Sequence, residues 1–341
     1  MMNSSQMPKV CIYIPTYNST NTLSFTLDSL LAQTYENIEI TIMDNASTDG
    51  TIELIRTYME KNPKVKLVEH EVNIGSEGNV NRCIRAIEGD YAAVFHSDDV
   101  YAPTIVEKQV AFLEKFAQAG GVFTGSWIID ENGEKIGQRL EPKELTSAEQ
   151  PLYSLEDMFG LILKYGNFIT CPSVMIRSDI YRDEIQCFDY ERYRSTSDLG
   201  AWLKLLQNHS IGYIPEKLMF YRSSANSFSY HYKRGRTEKH DLFILLEEYM
   251  NVFKEKWDQE NFGDYEFLLK KDEVNRAISF LINGDRKNAR TTIRPYLRLL
   301  RLVNTKNRAK IYVMATSAKL LSYIPLSPFA RRKLFEYRYK N

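Results

Sequence analysis

Three stretches of this 341-residue chain place carboxylates where chemistry is easier to argue than stability. In Met43-Asp44-Asn45-Ala46-Ser47-Thr48-Asp49-Gly50-Thr51 an acid closes an apolar run, and small polar residues follow it. Phe95-His96-Ser97-Asp98-Asp99 repeats the arrangement with a pair of acids. Thr196-Ser197-Asp198 carries a third acid, with Trp202 four residues on, where a helix would set both on one face. Acids at two strand tips on the same sheet edge repel unless something positive or hydrogen-bonding lies between them. A divalent cation carrying a diphosphate would satisfy them, because such ions prefer hard oxygen ligands. Structural alternatives stand beside each reading: a helix-capping acid at Asp44, a solvated turn at Asp98-Asp99, and a helix-dipole partner at Asp198.

The elements that must position these residues follow from two alternating periods. β-Rich runs occur at 10–14, 38–43, 65–69, 91–95 and 121–124. Between them, apolar residues fall three and four apart, as at Leu23, Leu27, Leu30 and Leu31 or Ile105, Val106, Val110 and Leu113. Thr48 or Asp49 is the expected N-cap of the second helix. Strands alternating with helices of this length imply βαβ units and a mostly parallel, Rossmann-like α/β sheet with helices on both faces. Ligands bind such sheets beyond the carboxyl ends of the strands. Further on, Asp130-Glu131-Asn132-Gly133 reads as a hairpin turn, Ser154 to Asp157 as a helix start, and Ser197 to Gln207 as a helix. Residues 211–214 and 218–221 read as two short strands. From about residue 239 the pattern is helical, with a hairpin at Asn283-Gly284-Asp285. The polar break Tyr232-Lys233-Arg234-Gly235-Arg236 sets an expected boundary near 232–240. Residues 1–235 then form one domain, split into halves near residue 100, and 236–341 a helical basic region.

Pro15-Thr16-Tyr17-Asn18, the Met43–Thr51 segment, Asn73-x-Gly75 with Asn81, Ser97-Asp98-Asp99 before Pro103, and Asp198 with Trp202 together resemble the family 2 glycosyltransferases of GT-A fold. The resemblance spans roughly residues 8–230 and rests on the order and spacing of motifs that are individually weak. It implies an inverting, metal-assisted transfer of a sugar from a nucleoside diphosphate to a hydroxyl of a glycan or lipid-linked acceptor in cell-surface polysaccharide biosynthesis.

Roles follow by resemblance. Pro15, Tyr17 and Asn18 line the donor, and Asp44 accepts the base N3–H of a UDP or dTDP sugar. Guanine's N1–H and amino group would suit it as well, whereas cytosine has no protonated ring nitrogen of this kind. Asp98 and Asp99 resemble the DxD-type acids: one ligates Mn2+ or Mg2+, and the other, Asp98 included, reaches the donor or supports the metal. Asn73 or Arg82 reaches the nucleotide, and both are equally readable as ordinary loop and helix polar groups. Asp198 resembles the base that takes the acceptor proton, a role suited to a partly desolvated acid. Arg222 is assigned to the diphosphate because Ser224 stands where the family often has histidine, with His231 as a speculative substitute. Residues 223–236 are a candidate lid. The chain departs from the pattern at His96, where relatives often carry an acid, and at Asn79 and Cys83. His96 reads first as a packed strand-end histidine, second as an orienting group.

Two other functions fit the same neighbourhood less well. A sugar nucleotidyltransferase would need a Gly-rich, basic phosphate loop after the first strand, where Pro15-Thr16-Tyr17-Asn18 stands instead. A non-catalytic glycan-binding scaffold would have little use for Asp44, Asp98, Asp99 and Asp198 together.

Charge completes the reading. Forty-four Lys/Arg balance 44 Asp/Glu, yet residues 286–341 hold fifteen basic residues against the single acid Glu336. The tail is therefore +14 and the body −14. Within the segment that begins at Arg286, the residues Arg290, Arg294, Arg298 and Arg301, interleaved with leucines, read as a helix facing the protein's own acidic body, an anionic membrane or a partner protein. Nothing resembles a nucleic-acid-binding module. Four scattered cysteines without C-x-x-C pairs read as reduced thiols, and the N-terminus lacks the apolar core of a secretory signal. Residues 311–330 are nearly uncharged but are interrupted by Lys319, Pro325 and Pro328, which argues against a spanning helix. The expected location is cytoplasmic, peripheral at the inner face of the cell membrane.

Overall fold

A computed structural model of the chain describes residues 7–146, 151–223, 236–293 and 306–340. They fall into two compact units, one within 1–159 and 167–223, the other within 160–166 and 224–341. The first unit opens with β1 (Val10–Thr16), α1 (Leu23–Leu31), β2 (Ile38–Asp44), α2 (Thr51–Lys61), β3 (Val65–Glu69), α3 (Gly75–Arg85) and β4 (Tyr91–Val94). It continues through β5 (Val100–Tyr101), α4 (Ile105–Lys115), β6 (Ala119–Ile129), β7 (Lys135–Gln138), α5 (Lys143–Thr146), β8 (Leu152–Tyr153) and α6 (Leu155–Tyr165). β9 (Val174–Arg177), α7 (Tyr190–Tyr193), α8 (Ser197–Leu205) and β10 (Ser210–Arg222) complete it, with the end of α6 grouped in the second unit.

The sheet runs β3-β2-β1-β4-β9-β6-β10-β5. β3, β2, β1 and β4 are parallel neighbours, as are β6 and β10, while β9 is antiparallel to both β4 and β6. Val10, Ile12, Ile14, Ile40 and Ile42 are buried in the core that helices α1 and α4 also line; β1 is apolar from Val10 to Ile14, whereas β2 alternates Ile38, Ile40 and Ile42 with Glu39 and Thr41. Because β2 lies on one side of β1 and β4 on the other, the winding reverses at β1. A crevice opens there at the carboxyl ends. Asp44 closes β2 and Asp98-Asp99 follow β4, so the acids flank the end of β1.

Several boundaries differ from expectation for local reasons. The two strands expected near 211–214 and 218–221 are one strand, β10, whose register against β6 shifts between Ile214 and Lys217. Pro215 lacks an N–H and reads as a breaker, yet a bulge absorbs it. The N-cap of α2 is Gly50, at φ 87°, rather than Thr48 or Asp49. Asp49 still serves the helix start, its Oδ1 accepting the Thr51 N–H at 3.1 Å. The Asp130–Gly133 turn and the Ser154/Asp157 helix start form as read. Asp130 Oδ1 accepts from the Asn132 and Glu134 amides at 2.9 Å each, and Ser154 and Asp157 cap each other reciprocally.

The second unit holds α9 (Leu242–Val252), α10 (Gln259–Ile282), α11 (Arg286–Thr292), α12 (Lys306–Leu321) and α13 (Pro328–Lys340). Val274, Ile278, Leu281, Ala289, Ile293, Ile311, Ala315 and Ala318 form its core. The turn at 283–285 is the expected hairpin: Gly284 sits at φ 82° and Asp285 caps α11 through the Asn288 N–H. Arg294, Arg298 and Arg301 lie outside the described residues, as do His231 and most of the proposed lid. Among the described residues, no helix is long and apolar enough to cross a membrane.

Candidate active site

The crevice wall at β2 is built around two fully buried side chains. Asp44 accepts the Ser47 N–H on Oδ2 at 2.9 Å, while its Oδ1 is buried without a partner. A buried carboxylate oxygen left open costs free energy unless a ligand donor meets it. Next to it, Asn45 is a hub that sequence reasoning passed over. Its amide nitrogen donates to Asn73 Oδ1 at 2.8 Å and Gly75 O at 3.1 Å, and its oxygen accepts from Ile74 N at 3.1 Å and Arg82 Nη1 at 3.0 Å. Asn73 also accepts the Gly75 N–H, and Gly75, at φ 81°, makes the tight turn. Asn73 and Arg82 are thus brought to the Asp44 strand tip by one amide. His70, also unremarked in sequence, donates its N–H to Asp44 O at 3.1 Å and has a buried Nε2 without a partner.

The β1 exit is shaped by Asn18, at φ 47°, and faces Ala46, at φ 64°. Asn18 N–H donates to Ser47 Oγ at 2.9 Å and Asn18 Oδ1 accepts the Thr48 N–H at 2.8 Å, which fixes two left-handed residues side by side. Pro15 is half-buried at the end of β1, and Tyr17 is exposed.

After β4, His96, Asp98 and Asp99 offer ligand atoms that all lie within 4.8 Å of one another. Asp99 is buried, its Oδ1 accepting the Arg222 N–H at 2.8 Å and its Oδ2 left without a hydrogen bond, 3.8 Å from His96 Nδ1. Burial first, and the Asp98 charge second, raise the Asp99 pKa well above the carboxylate range. Desolvation lowers that of His96, against the opposing pull of Asp98. Two carboxylates and a neutral imidazole around an unsatisfied buried oxygen fit Mn2+ or Mg2+. The His96 side chain is 35% exposed, with Nδ1 toward Asp99.

Arg222 is committed differently from the diphosphate role implied by resemblance. It is buried, with Nε donating to Asp98 O at 2.7 Å and Nη1 to Asp130 O and Glu131 O at 2.9 Å each. Those bonds clamp the acidic loop to the β6–β7 hairpin.

Asp198 opens α8, and burial raises its pKa to about 6 against the pull of the Leu199 amide and the Arg139 charge. Arg139 acts on Asp99 as well, and the Cys171 thiol feels both acids, so Asp198 and the β4 acids converge on one region. Trp202 is buried against the edge of Phe188, with ring centroids 5.5 Å apart, and serves the core. Phe188 is in turn held by Asn81, which donates to its carbonyl at 2.9 Å and accepts its N–H at 2.8 Å. Neither Arg139 nor Asn45 could be found by residue type. Arg139 lies in an irregular stretch, and the partners of Asn45 are distant in sequence.

A mostly parallel sheet carries acids at its switch point, and a further acid opens α8. The profile of glycosyl transferase family 2 matches residues 11–183. EpsE of Bacillus subtilis (strain 168), named a glycosyltransferase, is 32% identical over 247 residues, 72% of this chain and 82% of its own. TuaG of the same organism, named a teichuronic acid biosynthesis glycosyltransferase, is 27% identical over 252 residues, 73% of this chain and 92% of its own. Staphylococcus aureus TarS 1–349 in complex with UDP-GlcNAc superposes with a TM-score of 0.53 at 17% identity, over 98% of this chain and 92% of that one. Mannosyltransferase PcManGT from Pyrobaculum calidifontis, in complex with GDP-Man and Mn2+, superposes at 0.51 and 17%, over 99% and 88%. The chain belongs to glycosyl transferase family 2 and has the GT-A fold. It is an enzyme that transfers sugars.

Proposed function

We propose that the protein moves a sugar from a nucleoside diphosphate, UDP or dTDP favoured and GDP compatible, to a hydroxyl of a glycan or lipid-linked saccharide, with inversion, in cell-surface polysaccharide assembly. The observation that carries this reading is the pair of buried, partnerless carboxylate oxygens, Asp44 Oδ1 and Asp99 Oδ2, on either side of the end of β1. Asp44 offers an acceptor to the base N3–H, while Pro15, Tyr17, Asn18, Asn73 and Arg82 border the same crevice. His96, Asp98 and Asp99 would hold Mn2+ or Mg2+, which when bound offsets the charge on the leaving diphosphate. Asp198 takes the acceptor proton, and its raised pKa makes it a better base than an exposed acid. The biosynthetic setting is supported by the name of TuaG. The basic C-terminal helices bring the chain to an anionic membrane surface, where a lipid-linked acceptor would lie.

Calorimetry and turnover on two variants test the reading. Asp198→Asn should keep Mn2+-dependent UDP binding and lose turnover by about 100-fold or more. Asp99→Ala should lose the Mn2+ dependence of UDP binding. Normal turnover in the first variant removes Asp198 from the chemistry, and unchanged binding in the second removes the metal assignment.

A further inference from the structure

Helix α12 of the second unit has two faces with different fates. Ile311, Ala315, Ala318 and then Ser322, spaced three and four residues apart, are buried, and the three apolar ones sit in the core shared with α10 and α11. On the other side Val313 and Leu320, seven residues apart, are exposed. The chain then adds Tyr323, Ile324 and Phe329, so that five large apolar side chains are each 54–70% exposed. Large apolar side chains left exposed this close together along the chain point to an interaction surface.

Their surroundings say what kind. From Lys306 to Lys340 the sequence has nine basic residues and one acid, Glu336, which is already bound by Arg332 Nε at 3.2 Å and Lys333 Nζ at 2.9 Å. The turn itself is braced. The Arg290 guanidinium lies 4.0 Å from the Tyr323 ring centre and donates to Ser322 O at 2.9 Å, while Lys319 Nζ donates to Arg290 O at 3.2 Å. A second copy of the chain would bring like charge against like charge, which is costly. Protein interfaces are also depleted of lysine at their centres. Apolar and aromatic side chains ringed by Lys and Arg match the headgroup boundary of an anionic bilayer, where the rings and aliphatic groups enter the acyl region and the cations meet phosphates.

We infer that the turn from Leu320 to Phe329 is a membrane-docking wedge, inserting Leu320, Tyr323, Ile324 and Phe329 into an anionic lipid surface while Lys319, Arg331, Arg332 and Lys333 bind lipid phosphates. The inference rests on the lipid-facing reading of the basic tail and adds the apolar contact and its location. It is independent of the transfer chemistry.

The test sediments full-length protein with vesicles of phosphatidylcholine alone or with one third phosphatidylglycerol. Wild type should partition onto the anionic vesicles only. Ile324→Glu/Phe329→Glu, at exposed positions, should keep the wild-type melting temperature and lose partitioning by about tenfold or more. Phe329→Trp should gain blue-shifted emission on anionic vesicles. If the double variant binds like wild type while Arg331→Ala/Arg332→Ala/Lys333→Ala does not, the wedge is overturned and the electrostatic reading of the tail survives. Absence of wild-type binding overturns both. A concentration-dependent dimer that the double variant dissolves, without vesicle binding, assigns the face to a second copy and overturns the wedge.

Discussion

Asp198 shows how one side chain links stability to chemistry. Its pKa rises from 3.8 to about 6 because the folded chain desolvates the carboxylate. The folded state therefore holds the proton more tightly than the unfolded one, and stability falls as pH rises from about 4 to about 6. For a group that is only half-buried the cost above pH 6 is roughly 1–3 kcal/mol. Two outcomes follow from one cause. If Asp198 is the proposed base, kcat/KM should climb with pH to a plateau beginning near 6, where the carboxylate is ionised. Asp198→Asn, without the charge, should melt above wild type at pH 7.5 and together with it below about pH 4. Thermal melts across that range measure the difference, and an asparagine variant that melts lower at pH 7.5 would refute desolvation as the cause. The partnerless oxygens of Asp44 and Asp99 are the same bargain at neighbouring positions, stability given up locally for a group that a ligand completes.

At the scale of elements, α3 and α8 are coupled through a single asparagine. Asn81 on α3 binds both backbone groups of Phe188, and Phe188 packs edge-on against Trp202, one turn beyond Asp198 on α8. Asn81→Ala removes two hydrogen bonds, a loss of about 1–3 kcal/mol. It lets α8, which carries the proposed base Asp198, shift relative to the β2 tip at Asp44. UDP affinity should stay within twofold while kcat falls about 10- to 100-fold; equal losses in both would make Asn81 a general structural support. How much of this was legible in sequence divides along physical lines. The βαβ half was readable because β1, β2 and β4 are buried along nearly their whole length and its acids close apolar runs. β9, four residues between two antiparallel neighbours, carries no comparable period. β10 was split at Pro215 because a bulge cannot be told from a break by residue type. Asp44, Asp98, Asp99 and Asp198 stood out in sequence by residue type and position. The roles of Arg222 and Asn45 did not, because their partners, backbone groups above all, lie on segments far away in sequence.

The formal charge of zero conceals two bodies with separate cores, and the whole molecule should unfold as such. The sheet-bearing unit and the helical unit each contain their own apolar cluster. Among the buried acids of the helical unit, Asp272 is 5% exposed and accepts from Arg236 Nη2 on Oδ1 at 2.6 Å and from Arg276 Nε on Oδ2 at 2.8 Å. A buried carboxylate between two guanidiniums cannot lose its charge cheaply, since the arginines stay ionised and desolvated. Removing one partner of such a set costs about 3–5 kcal/mol. Asp272→Asn, nearly the same in shape, should therefore lower the melting of the helical unit by roughly 10 °C or more. The sheet unit, whose core and ion pairs do not include Asp272, should keep its own transition. Scanning calorimetry of the full chain resolves this as one peak moving away from another. A single transition that shifts as a whole would mean that the two cores unfold together, and that the tail's stability is inseparable from that of the catalytic body.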